Sequence, residues 1–211
     1  MKESCYITST RTTHKHRKKE IIGPCGPCTF INLIGLKGSF KLEKRLVELG
    51  RLKPFYASNI SSFILWAKKY KKEIIIYTED TKMSNGTFKM MFRYENIPKE
   101  KQKELKKQAI ERYEKIIKEN KSKINIIKEK PLKIIDKLLA NEYSVAFNMA
   151  DYFGHSFLTG HLRVCYKKDD KFYYIKDSKE GLMKLTKKEM QKGFSNLKKI
   201  GSKQEIIAYK P

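Results

Sequence analysis

Apolar positions recur at helical spacing in the first half of the chain and in short β-branched runs in the second. In PCTFINLIG, Phe30, Ile31, Leu33 and Ile34 form one broad apolar face, which predicts a helix from Pro27. Proline suits a first helical position because its missing N–H has no intrahelical partner there. Gly35 and Gly38 end that helix. A second helix is expected at Leu42–Leu49, closed by Gly50, and a third through ISSFILWAKKY, capped by Ser58 or Asn59. EIIIYTE, Glu73–Glu79, reads as a buried strand. Asn85-Gly86, between TEDTKM and TFKMMFRY, is a turn signal and predicts a hairpin.

From Pro98 to Lys121 the chain is a charged helix with a narrow stripe at Leu105, Ile110, Tyr113 and Ile116/Ile117; its Lys/Glu neighbours are a solvated face. INII reads as a strand and PLKIIDKLLANE as a helix opening on Pro131. EYSVAFNMA, HLRVCYKK and KFYYIKD are strands, the last two joined by Asp169-Asp170. Thr186 with Glu189 is a capping box for the helix in KLTKKEMQKGF, and QEIIAYK closes the chain as a strand. A short strand is expected at Ser4–Thr10. Helices first and sheet later give an α+β class, N-terminal helices packed on a C-terminal antiparallel sheet.

With 211 residues, 40% of them hydrophobic and 11% aromatic, the chain buries a core as one domain, which excludes a disordered chain. Its charge is extreme: 47 Lys+Arg against 23 Asp+Glu give a formal +24. Such a field attracts phosphates, anionic lipid and acidic proteins. The lysines are nevertheless spread along the chain among Glu and Ile, a composition that also fits a thermophile or an AT-rich genome. Charge therefore predicts nonspecific nucleic-acid or acidic-protein association without singling out a dedicated partner. The opening MKESCYITSTRTTHKHRKK lacks the apolar core of a signal peptide, and no run approaches a transmembrane segment. A cytoplasmic, reducing location is expected, where cysteines serve catalysis or metals more than disulfides.

Of the four cysteines, Cys25 and Cys28 sit in GPCGPCTFINLIG, and three chemistries are written this way. C-G-P-C is the dithiol tetrad of thioredoxins. Here, however, it follows the basic HKHRKKEIIGP rather than a hydrophobic strand, and none of Pro54, Pro98, Pro131 and Pro211 has the spacing of a facing cis-proline loop. A zinc site would join both cysteines to His14 and His16, but H-x-H is poor ligand spacing and lies in a basic run that opposes a dication. A nucleophile needs a base and an orienting group. GHLRVCYKKDDKFYYIKDS supplies both: His161 opens one strand and Asp177 ends the next, so an antiparallel hairpin sets them side by side. The nucleophile reading is preferred. His155, with Asp151 as its orienter, is a second candidate base. Cys165, Trp66 and the run Phe172, Tyr173 and Tyr174 are assigned to packing.

With PCGPCTFINLIG, PLKIIDKLLANEYSVAFNM, GHLRVCYKKDDKFYYIKDS and LMKLTKKEMQKGF in this order, the chain resembles the papain-like cysteine peptidases, most closely the bacteriocin-processing (double-glycine leader) peptidases and their stand-alone relatives. The resemblance spans roughly two-thirds of the chain and leaves the charged helix, about 98–121, as an insertion. It implies a papain-like fold and a peptide or protein substrate cleaved by Cys25 as nucleophile, His161 as general base and acid, and Asp177 as orienting carboxylate, with no metal or organic cofactor. The other register would make Cys28 the nucleophile; Thr29, where the papain pattern has an aromatic residue, favours Cys25. Two departures stand out. The family's glutamine upstream of the nucleophile, an oxyanion donor, is replaced by the region of Lys18, Lys19 and Glu20, and Ser178 stands where proline is usual. Two alternatives follow: an inactive papain-like domain that binds nucleic acid or an acidic partner through its basic surface, and a C-G-P-C dithiol oxidoreductase.

Overall fold

A computed structural model describes residues 25–50, 58–94, 97–151, 159–178 and 180–211. Among them the chain forms seven α-helices and one seven-stranded sheet, an α+β arrangement. The helices are α1 (Cys25–Ile34), α2 (Phe40–Gly50), α3 (Ile60–Lys69), α4 (Asn85–Tyr94), α5 (Lys99–Glu119), α6 (Pro131–Ala140) and α7 (Lys187–Lys199). The strands are β1 (Ile75–Thr78), β2 (Ile124–Ile126), β3 (Ser144–Asp151), β4 (Thr159–Lys168), β5 (Phe172–Asp177), β6 (Gly181–Thr186) and β7 (Glu205–Tyr209).

The order across the sheet is β2-β1-β7-β3-β4-β5-β6. It is mixed rather than antiparallel: β1 and β2 run parallel, joined through the long crossover that contains α4 and α5. The final strand β7 inserts between β1 and β3 and is buried along its whole length. At β7 both faces of the sheet are covered, which is why EIIAY is continuously apolar after its first residue instead of alternating. On one face, residues of α1 to α5 pack with Ala146, Leu162, Val164 and Ile207. On the other, α6 and α7 pack with Phe147, Met149, Cys165, Ile175 and Ile206. The expected simple layering, helices on one side of a sheet, becomes three layers.

Three further differences have local causes. The hairpin expected at Asn85-Gly86 is the first turn of α4. Phe88, Met91 and Phe92 recur at helical spacing, and Gly86 serves close approach: a Cβ there would stand 2.4 Å from the Gly201 carbonyl carbon. Strand β6 escaped the sequence reading because GLMKLT, an edge strand with Leu182 and Lys184 exposed on one face, runs straight into the capping box at Thr186 with no turn signal between. Helix α1 begins two residues before Pro27, which still lies in the first turn, where no N–H is needed. Both capping boxes are formed, Asn59 with Ser62 and Thr186 with Glu189. The charged helix α5 buries Ala109, Tyr113, Ile116 and Ile117, and the Lys203 ammonium donates to the Tyr113 hydroxyl at 3.1 Å. Ser4–Thr10 lies outside the described residues.

Candidate active site

The N-terminal end of α1 carries Cys25. Nine of its ten residues are buried, and Phe30 anchors it against the rings of Phe63, Trp66 and Tyr70 at centroid distances of 5.9, 5.4 and 6.0 Å. Gly26 lets the helix approach α3: a Cβ would fall 2.4 Å from the Ser58 Cβ. Gly26→Ala is therefore expected to cost about 1–3 kcal/mol by overpacking, read as a lower urea midpoint; an unchanged midpoint would show that the contact relaxes freely. The Thr29 hydroxyl donates to the Leu162 carbonyl at 3.1 Å, a buried bond that ties the first turns of α1 to the residue beside His161.

His161 and Asp177 meet as the antiparallel hairpin requires. Register places Arg163 on β4 opposite Asp177 on β5, and His161 lies two residues along the same face of β4. The His161 Nε2 is 3.3 Å from Asp177 Oδ1 and 3.2 Å from Oδ2. The same imidazole hydrogen-bonds the Cys25 side chain. Burial pushes His161 down, but the hydrogen bonds to Asp177 and Cys25 and the charges of both outweigh it and raise the imidazole to about 9. Burial raises Asp177, and here too the partners win: the hydrogen bond and charge of His161, the Arg163 charge and the Glu180 N–H hold the carboxyl well below its usual range. The side chains of His161, Arg163 and Asp177 are 12%, 3% and 0% exposed, so these charges act in a poorly solvated place.

Arg163 escaped the sequence reading. Its Nε donates to Asp177 Oδ2 at 2.6 Å, and the Glu180 N–H donates to Oδ1 at 3.0 Å, so both carboxylate oxygens have protein donors. The signal was present in GHLR: on a strand, residue i+2 shares the face of the histidine. Cys28 lies fully buried within α1, whereas Cys25 is partly exposed; neither is in a disulfide. Cys165 is buried as expected, and its thiol is pushed up to about 12 by burial. Ser178 is buried beside Asp177. His14, His16, Lys18, Lys19, Glu20 and His155 lie outside the described residues, while Asp151 ends β3, paired with Thr159.

The first-turn N–H groups of α1 point toward its N-terminal end, and α1 has no acidic residue in that turn. A partial positive charge thus faces the sulfur. Among the described residues no group of three His, Cys, Asp or Glu is arranged to hold a metal ion, and no helix is long and apolar enough to cross a membrane. Comparison with family models, curated proteins and solved structures gave no significant match.

Proposed function

We propose that the chain is a cysteine peptidase or related thiol hydrolase of papain-like fold, similar to the bacteriocin-processing peptidases, acting through Cys25, His161 and Asp177. One observation carries this reading: a single half-buried imidazole hydrogen-bonded both to a cysteine at a helix N-terminus and to a buried carboxylate.

His161 takes the thiol proton, and the Cys25 thiolate attacks the carbonyl carbon of a peptide, isopeptide or amide bond. The oxyanion forms next to the first-turn N–H groups of α1. The His161 imidazolium then protonates the leaving nitrogen, the C–N bond breaks, and an acyl-thioester remains on Cys25. Water, deprotonated by His161, attacks the thioester; the carboxylic acid leaves and the thiol is restored. Asp177 keeps the imidazole oriented and stabilises its positive charge throughout. The reading requires a compartment that keeps Cys25 reduced, and a cytoplasmic setting meets that need.

Limiting iodoacetamide, applied from about pH 5 to 9 with the alkylated cysteines mapped by mass spectrometry, tests it. Wild type is expected to label at Cys25 alone near pH 6, and His161→Ala to lose that labelling by tenfold or more. Labelling of Cys25 and Cys28 together, appearing only above about pH 8 and indifferent to His161, would end the catalytic reading.

A further inference from the structure

Past the area covered by α1 to α5, the same face of the sheet continues over β5 and β6, and among the described residues no helix packs on it there. A bulge between Cys165 and Lys167 sets Lys167 opposite Tyr174, so this face carries Tyr166 and Lys167 from β4, Phe172, Tyr174 and Lys176 from β5, and Leu182 and Lys184 from β6. The sequence reading assigned Phe172, Tyr173 and Tyr174 together to packing. Strand alternation divides them: Tyr173 is buried in the core, while Phe172 and Tyr174 are partly exposed.

These side chains form one cluster. Tyr166 and Tyr174 meet edge to face with centroids 6.4 Å apart. Lys176 lies 5.1 Å over the Tyr166 ring, Lys167 and Lys184 lie 5.6 and 5.2 Å over Tyr174, and Lys184 also reaches Phe172 at 5.8 Å. The outward strand positions named here include no carboxylate, and Asp169 in the hairpin turn accepts the Tyr174 hydroxyl at 2.6 Å. Three rings and three ammonium groups thus share one partly exposed sheet surface on a protein of formal charge +24.

We propose that this face of β4, β5 and β6 binds single-stranded nucleic acid, its rings stacking bases and its lysines taking the phosphates. The two halves fit one ligand. Bases gain from ring faces, and each ammonium now lying over a ring exchanges it for a phosphate on binding. An acidic peptide would use the lysines alone, because the electron-rich ring face repels carboxylates. A lipid surface would call for several inserted apolar side chains, and Leu182 is the single strongly exposed aliphatic residue in the cluster. The proposal stands on a different face and a different chemistry from the thiol reading, and either holds without the other.

Fluorescence anisotropy with a labelled oligo-dT strand over a salt series tests it. General attraction is expected from the net charge, so the comparison between variants decides. Tyr166→Thr/Tyr174→Thr keeps charge and β-propensity and is expected to weaken binding roughly tenfold or more for each ring, with the salt slope unchanged. Tyr166→Phe/Tyr174→Phe is expected to bind as wild type. Removing three charges here, Lys167→Gln/Lys176→Gln/Lys184→Gln, is expected to lower the salt slope by about two. The same loss on α5, Lys101→Gln/Lys103→Gln/Lys107→Gln, is expected to do much less, and this charge-matched pair decides the matter even where the ring-free variant does not fold. Equal effects of the two triple variants, or ring-free binding like wild type, would reduce the face to part of a general basic field and overturn the proposal. Stronger, ring-dependent binding of polyglutamate or of anionic vesicles would overturn it in favour of an acidic protein or a lipid surface.

Discussion

Arg163→Met is expected to cost about 3–5 kcal/mol of folding stability, a large share of what a domain of this size has in hand. The guanidinium is 3% exposed and its partner carboxylate fully buried, so removing it withdraws a charge and a donor from Asp177 where water cannot replace them. His161 still faces the carboxylate and keeps the loss toward the lower end of that range. Replacing both partners, Arg163→Met with Asp177→Leu, is expected to recover much of the stability while abolishing Cys25 labelling near neutral pH, because a buried ion pair contributes more to specificity than to net stability. Chemical denaturation of the single and double variants measures this. A single variant as stable as wild type would mean that Asp177 does not depend on Arg163.

The same ion pairs set a pH window. Asp177 titrates lower in the folded chain than in the unfolded one, so its contribution is present above about pH 4 and is lost as pH falls. His161, raised to about 9, contributes fully below its unfolded value near 6.5 and loses that contribution as pH rises through 9. Stability from this group of residues is therefore greatest between about pH 4 and 6.5. In Arg163→Met the carboxyl moves upward, and the acid limb should begin at a higher pH.

How far the sequence carried can be judged from particular residues. Helix α3, the capping boxes and the hairpin joining His161 to Asp177 were legible because each rests on local chemistry: a cap, a period, a turn. The failures come from tertiary placement. Asn85-Gly86 read as a turn because those residues favour one, but Gly86 is there to admit the backbone at Gly201. The parallel pairing of β1 with β2 and the insertion of β7 between β1 and β3 depend on contacts remote in sequence, which no local pattern records. At the candidate site, Cys25, His161 and Asp177 were singled out by residue type, spacing and the family resemblance, and the structure brings them together. Arg163, which looks like an ordinary basic residue among 47, acquires meaning only once register sets it opposite Asp177. The split of Phe172 and Tyr174 from Tyr173 was available from strand alternation alone.

Asp177→Asn should have the largest effect on the chemistry while changing the volume least. Both carboxylate oxygens accept from protein donors, Oδ2 from Arg163 and Oδ1 from the Glu180 N–H. An asparagine must therefore turn its amide nitrogen toward one of them. The charged Arg163 contact is the stronger and retains the amide oxygen, so the nitrogen points to the Glu180 N–H and to His161 Nε2. That arrangement sets an N–H donor against Nε2 and favours the tautomer with its proton on the other ring nitrogen, from which the ring takes the thiol proton poorly. A comparable carboxylate-to-amide exchange in a serine triad lowers turnover about 10⁴-fold through the same tautomer error. Without the carboxylate, burial also dominates the imidazole and drives its pKa down. Labelling of Cys25 near pH 6 is accordingly expected to fall tenfold or more and to return only toward the ordinary thiol range, about pH 8.5. A variant that melts cooperatively yet still labels at the wild-type rate near pH 6 would show that Asp177 serves the fold and not the cysteine.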